Sequence, residues 1–167
     1  RMKKHGVYTF DFLLDFGSFR DLQRHRDGYC PVPIVDNTFG FHYGYDEEFE
    51  RILSSEDYEN LIREIDQQLF DIEIGLNDNG IETTVLNNQY LYPMGMSCAC
   101  TVTYSLPQTV YVAELRSNKT VHFTLRPIAQ EMGAVLVDNH PNLNLYVDYD
   151  EDSFTTKRGS QDITTKV

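Results

Sequence analysis

Helical and strand periodicities follow one another along this chain, and together they predict an α+β fold. Two stretches carry that reading. From Tyr58 to Leu76 the residues Tyr58, Leu61, Ile62, Ile65, Leu69, Ile72 and Leu76 recur at helical spacing. From Met96 to Tyr104 the period is two: Met96, Cys98, Cys100, Val102 and Tyr104 share one face, and Ser97, Ala99, Thr101 and Thr103 the other. At 167 residues, 41% apolar and 24% charged, the chain is long enough for one domain with its own core. That domain is expected over residues 1–150, with residues 151–167 as a mobile or partner-bound tail poor in apolar residues.

Taken in order, Val7 to Arg26 reads as a helix, because Val7, Phe10, Leu13, Leu14 and Gly17 fall at helical spacing while Asp11, Asp15 and Asp21 lie off that row. Asp27 to Gly44, with three glycines and two prolines, reads as a loop, and Tyr29, Phe39, Phe41, His42, Tyr43 and Tyr45 are expected to pack in a core or against a partner, the alternative being that they stack on a planar ring. A short helix follows over Asp46 to Leu53. Ser54 or Ser55 then caps the long amphipathic helix, and Asn77-Asp78-Asn79-Gly80 stops it. The carboxylates of that helix read as a solvated face. Ile81 to Val85 reads as a short strand and Asn87 to Gly95 as irregular.

Beyond the strand at Met96, Ser105 and Gln108 have capping-box spacing and Pro107 suits a first turn, so a helix is expected from about Leu106 to Leu115. A second is expected from Thr124 or Leu125 to Val137, burying Ile128, Met132, Val135 and Leu136. Leu143, Leu145 and Val147 alternate as a short strand.

A net charge of −12 argues against general nucleic-acid binding, which needs a basic surface. No apolar run approaches the ~20 residues of a membrane helix. Asp11 and Asp15 interrupt the only stretch that follows the basic start, so no signal peptide is read. The opening residue is Arg1 rather than Met, which leads to the expectation of an excised fragment or a tag scar. Cys30, Cys98 and Cys100 are an odd count, so they read as packing residues of a cytoplasmic protein rather than a disulfide framework or a zinc site.

Against this acidic background two basic clusters stand out. Arg20, Arg24 and Arg26 place three of the chain's 14 cations in RDLQRHR, with His25 among them. Glu114, Arg116, His122 and Arg126 gather between Tyr111 and Met132. The bland account is cations suited to a helix C-terminus and a salt-bridged pair at a helix end. The sharper account is an anion site. The planar guanidinium of Arg116 offers a bidentate donor pair to phosphate, carboxylate or an ionised imide. No phosphate-binding glycine loop, nucleophile elbow or zinc motif occurs. His5 and His140 read as surface residues, and His42 has no evident partner.

Three segments occur in an order and spacing that resemble flavin-dependent thymidylate synthase, especially its divergent two-domain relatives: FRDLQRHR at 19–26, YLYPMG at 90–95, and ELRS…H…LRPIAQEM at 114–132. The resemblance covers most of residues 7–137. It implies an antiparallel sheet with helices packed around it and a homo-oligomer, or a second half in a longer chain, with sites between subunits. It further implies FAD as cofactor, NADPH as reductant, and methyl transfer from methylenetetrahydrofolate to dUMP. By the same resemblance Arg24, His25 and Arg26 contact the flavin, Arg20, Arg116 and His122 bind the nucleotide, and Arg116 favours the ionised uracil ring as the residue of the chemistry. A nearby positive charge does stabilise an imide anion. His122 matches at altered spacing.

The chain also departs from the family pattern. Pro33 stands where the signature has serine, and Asp27 to Tyr45 holds no Glu or Ser to cradle a nucleotide phosphate. Ser105 stands in place of an asparagine. The resemblance therefore implies either a degenerate half or one half of a composite site. The competing expectation is a catalytically inactive structural or oligomerisation module of the same fold, and a third is a nucleotide-binding regulatory domain without flavin.

Overall fold

The computed structural model describes residues 6–78 and 88–150. Among them are five α-helices and one three-stranded antiparallel sheet, an α+β fold. The chain divides into two compact units, one ending at Gln108 and the other beginning at Thr109.

The sheet belongs to the first unit. Strands β1 (Val7–Asp15), β2 (Gly28–Tyr29) and β3 (Ser97–Ser105) lie in the order β1-β3-β2. Val7 stands opposite Ser105 and Asp15 opposite Ser97, so β1 pairs along its whole length. The helix expected from Val7 to Arg26 is therefore corrected. Its first nine residues are strand, and only Phe16–Gln23 is helix, α1. VYTFDFLLD satisfies both periods: Phe10, Leu13 and Leu14 suit a helix, and Tyr8, Phe10, Phe12 and Leu14 suit a strand. The ladder with β3 decides for the strand, and the outward residues Thr9 and Asp11 meet cross-strand partners. Thr9 and Thr103 share a hydroxyl hydrogen bond of 2.9 Å, and Thr101 donates to Asp11 at 2.6 Å.

Asp15 ends the strand and caps the helix, its buried carboxylate accepting from the Ser18 backbone N–H at 2.9 Å. α1 then buries Phe19 and Leu22. β2 is brought against β3 at Gly28, where a Cβ would lie 2.4 Å from the Thr103 carbonyl oxygen. That approach admits glycine alone.

Helix α2 (Gly44–Ile52) and helix α3 (Ser55–Asp78) follow as expected, with Ser54 as the cap: its hydroxyl accepts from the Asp57 N–H at 3.2 Å and donates to the Asp57 carboxylate at 2.7 Å. Cys98, Cys100, Val102 and Tyr104 of β3 are buried, as their alternation predicts. The expected strand at Ile81–Val85 and the tail beyond residue 150 lie outside the described residues.

Helix α4 (Leu106–Arg116) starts where Ser105 Oγ accepts from the Gln108 N–H at 3.4 Å, and continues into the second unit. Helix α5 (Leu125–Asn139) buries Leu125, Ala129, Met132 and Leu136. The strand expected at Leu143–Val147 is corrected. The segment is extended but enters no ladder: the Tyr146 N–H goes to the Glu114 side chain of α4, and the Asp148 N–H that follows goes to Ser117 Oγ, not to another strand.

Candidate functional site

The first basic cluster straddles the end of α1. Arg20 lies in the last turn and is exposed, and Arg24 is the C-cap. Arg24 is 69% exposed and reaches Asp21 at 3.4 Å, an i,i+3 surface pair worth little in stability. Arg26 is exposed. His25 is the exception at 7% exposure, and its backbone N–H closes the turn onto the Leu22 carbonyl at 2.9 Å. RHR thus sorts itself by burial, with His25 packed inward and guanidinium side chains exposed on either side of it.

The second cluster belongs to the second unit and is built differently. Arg126, near the start of α5, has a side chain only 6% exposed. Its Nε donates to the Ser117 carbonyl at 2.8 Å, while a terminal nitrogen lies 3.3 Å from the Asp148 carboxylate and donates to the Asp150 carbonyl. Around it runs a series of side-chain contacts to the extended segment 146–150. Glu114 accepts from the Tyr146 N–H at 3.0 Å, Ser117 Oγ from the Asp148 N–H at 3.0 Å, and Gln130 donates to the Asp148 carbonyl at 2.8 Å. Gly133 completes the clamp, since a Cβ there would lie 2.8 Å from Val147 and 2.9 Å from the Tyr149 hydroxyl. Arg126 and Glu114 therefore serve to hold a strap.

Arg116 is the last residue of α4 and half-buried. The buried Ser117 that follows it anchors the strap at both its carbonyl and its hydroxyl. His122 is half-buried. Its Nδ1 shares a 2.8 Å hydrogen bond with Thr124 Oγ1, and its ring stacks on Phe123 at 4.3 Å. Of the predicted site residues, Arg20, Arg24, His25 and Arg26 thus fall in the first unit, and Arg116 and His122 in the second.

Two features were not read from the sequence. His42, expected to lack a partner, is 3% exposed and its Nδ1 accepts from the Gly44 N–H at 3.1 Å, which starts α2. Tyr45 points its hydroxyl at the buried Asp15, 3.5 Å away, and its pKa is pushed up to about 12, by burial first and then by the Asp15 charge and hydrogen bond. Two of the thiols are buried on β3. Burial raises Cys98 to about 11 and Cys100 to about 12, with smaller contributions from neighbouring acidic groups. Among the described residues no group of His, Cys, Asp and Glu is arranged to hold a metal ion, and no helix is long and apolar enough to cross a membrane.

No protein-family model matches the chain. It is 30% identical over 136 residues to UPF0159 protein Ta1429 of Thermoplasma acidophilum, an alignment covering 81% of this chain and 26% of that protein. It is 27% identical over 160 residues to a UPF0159 protein of Chlamydia pneumoniae, covering 86% of this chain and 26% of the relative. The chain spans about a quarter of the length of these curated relatives.

Proposed function

We propose that this chain is a flavin-dependent thymidylate synthase-like domain that contributes arginines to a composite FAD and dUMP site within a longer protein. The observation that carries the reading is the outward exposure of Arg24 and Arg26 on either side of the buried His25. Two exposed guanidinium groups fit the diphosphate of FAD, to which each can give paired donors. The burial of His25 suits a supporting role beneath them. Arg116, at the end of α4, is the residue to face the uracil ring and stabilise its anion, and His122, six residues further on in the same unit, is the second nucleotide contact there; Arg20, in the first unit, is a separate nucleotide contact. Bound FAD would supply reducing equivalents drawn from NADPH, and methylenetetrahydrofolate the one-carbon unit. This chain's part is to bind and orient. Its buried thiols, held protonated, suit chemistry that needs no covalent enzyme nucleophile.

The absence of Glu and Ser from Asp27–Tyr45 is the reason to place the rest of the nucleotide cradle elsewhere, in a second copy or a further part of a longer chain. Relatives of about four times the aligned length are compatible with the latter. A catalytically inactive structural or oligomerisation module of the same fold is the competing reading. The internal use of Arg126 favours it, because one arginine of the second cluster is already committed to structure.

The visible absorbance of the purified chain and its melting temperature with FAD and with dUMP separate the two. A ligand that binds only the folded state adds ~2.7 kcal/mol of stability at a hundredfold excess over Kd. Yellow protein, or a clear rise with FAD, supports the flavoprotein reading. A colourless protein indifferent to both ligands supports the structural module.

A further inference from the structure

Helix α3 carries a charge pattern that the proposed flavin chemistry does not use. From Gly44 to Asp78 there are twelve carboxylates against Arg51 and Arg63, which places −10 of the chain's net −12 on α2, α3 and their junction. The charges on α3 are ordered. Tyr58, Ile65 and Ile72 stand seven residues apart, and each is bracketed by two acids: Asp57 and Glu59, Glu64 and Asp66, Asp71 and Glu73. All six acids are exposed. Four of them, Asp57, Glu64, Asp71 and Glu73, have neutral partners in Ser54, Gln68, Gln67 and Asn37.

The apolar stripe between these acidic flanks is incompletely covered. Of Tyr58, Leu61, Ile62, Ile65, Leu69 and Ile72, only Leu69 is buried. Over its second half, Ile65, Leu69 and Ile72 line a cleft of about 300 Å³ with Phe41, Leu91 and Pro93, large enough for a bulky apolar side chain. A 24-residue helix with a half-open heptad stripe has the length and pattern that a helix–helix contact requires.

We infer that this face of α3 docks an amphipathic helix whose apolar stripe is flanked by Lys and Arg. Charge selects the occupant. A second α3 would set carboxylates against carboxylates along both edges, whereas a basic helix pairs with them and seats an apolar anchor in the cleft.

The test uses three peptides of about 20 residues: Leu and Lys in amphipathic helical order, the same composition scrambled, and the ordered pattern with Glu in place of Lys. Binding is read by fluorescence anisotropy, and the footprint by hydrogen exchange. The ordered Leu–Lys peptide should bind at least ~10-fold more tightly than either control, a difference of ~1.4 kcal/mol, and should protect α3. Reversing exposed charges in Glu64→Lys with Asp71→Lys should weaken it by a similar factor without loss of fold, and Ile65→Asp should remove the apolar contribution. Equal binding of ordered and scrambled peptides, protection away from α3, or a homodimer of the chain with α3 protected would each overturn the inference.

Discussion

The two arginine clusters look alike in composition and differ in what their charges face. Arg126 is almost fully buried and spends its guanidinium on Ser117, Asp148 and Asp150. Arg24 is 69% exposed and makes a short-range ion pair with Asp21. The contrast teaches that an arginine in a cationic sequence cluster can be a buried structural clamp or an exposed surface cation, and that burial separates the two. Each substitution below tests on which side of that division a residue lies.

The largest effect belongs to the clamp. Arg126→Ala leaves Asp148 half-buried without its cation and strands two carbonyls, so a stability loss of about 3 kcal/mol is expected in denaturant unfolding. Arg126→Lys keeps the charge but lacks the fork, and should recover less than half of it. If Arg126→Ala instead leaves stability within about 0.5 kcal/mol, in the range of an ordinary surface change, the clamp carries no weight. Next comes Gly133→Ala, whose added methyl meets Val147 and Tyr149 and must lift the strap, at a cost of about 1–2 kcal/mol. Faster proteolysis or hydrogen exchange across residues 143–150 would locate that loss.

The buried thiols set an alkaline limit. The folded pKa values of Cys98 and Cys100 lie at about 11 and about 12, above the ordinary 9.0. Above pH 9 the unfolded chain therefore releases protons that the folded chain retains, and stability, full below pH 9, falls as pH rises toward 11 and 12. Tyr45 acts in the same direction. A melting temperature flat between pH 7 and 9 and falling above is expected, and a rise above pH 9 would contradict the sign. At the smallest end, Arg24→Ala should change stability by less than about 0.5 kcal/mol, since its charge faces water.

What the sequence made legible follows this division too. The long helix, the β3 strand, the Ser54 and Ser105 caps and the boundaries of α4 and α5 are local patterns, written within a few residues of where they act. The first strand was misread because VYTFDFLLD satisfies both periods, and only β3, some 90 residues away, chooses between them. The strap was misread for the same reason: Leu143, Leu145 and Val147 alternate, but the partners of the strap are Glu114, Arg126 and Gln130 on two helices and Ser117 just after the first of them. At the candidate site, the position of Arg24 at a helix end was legible. The inward packing of His25 and the structural use of Arg126 were not, because burial depends on the tertiary neighbours.

The central claim is that Arg24 and Arg26 present a flavin-binding pair, and a fluorescence titration of FAD with the chain and with the Arg24→Ala, Arg26→Ala double variant tests it most directly. The account predicts saturable binding to the parent chain, and at least ~10-fold weaker binding, ~1.4 kcal/mol, to a variant whose melting temperature is unchanged. FAD that fails to bind the parent, or binds both proteins equally, would contradict it.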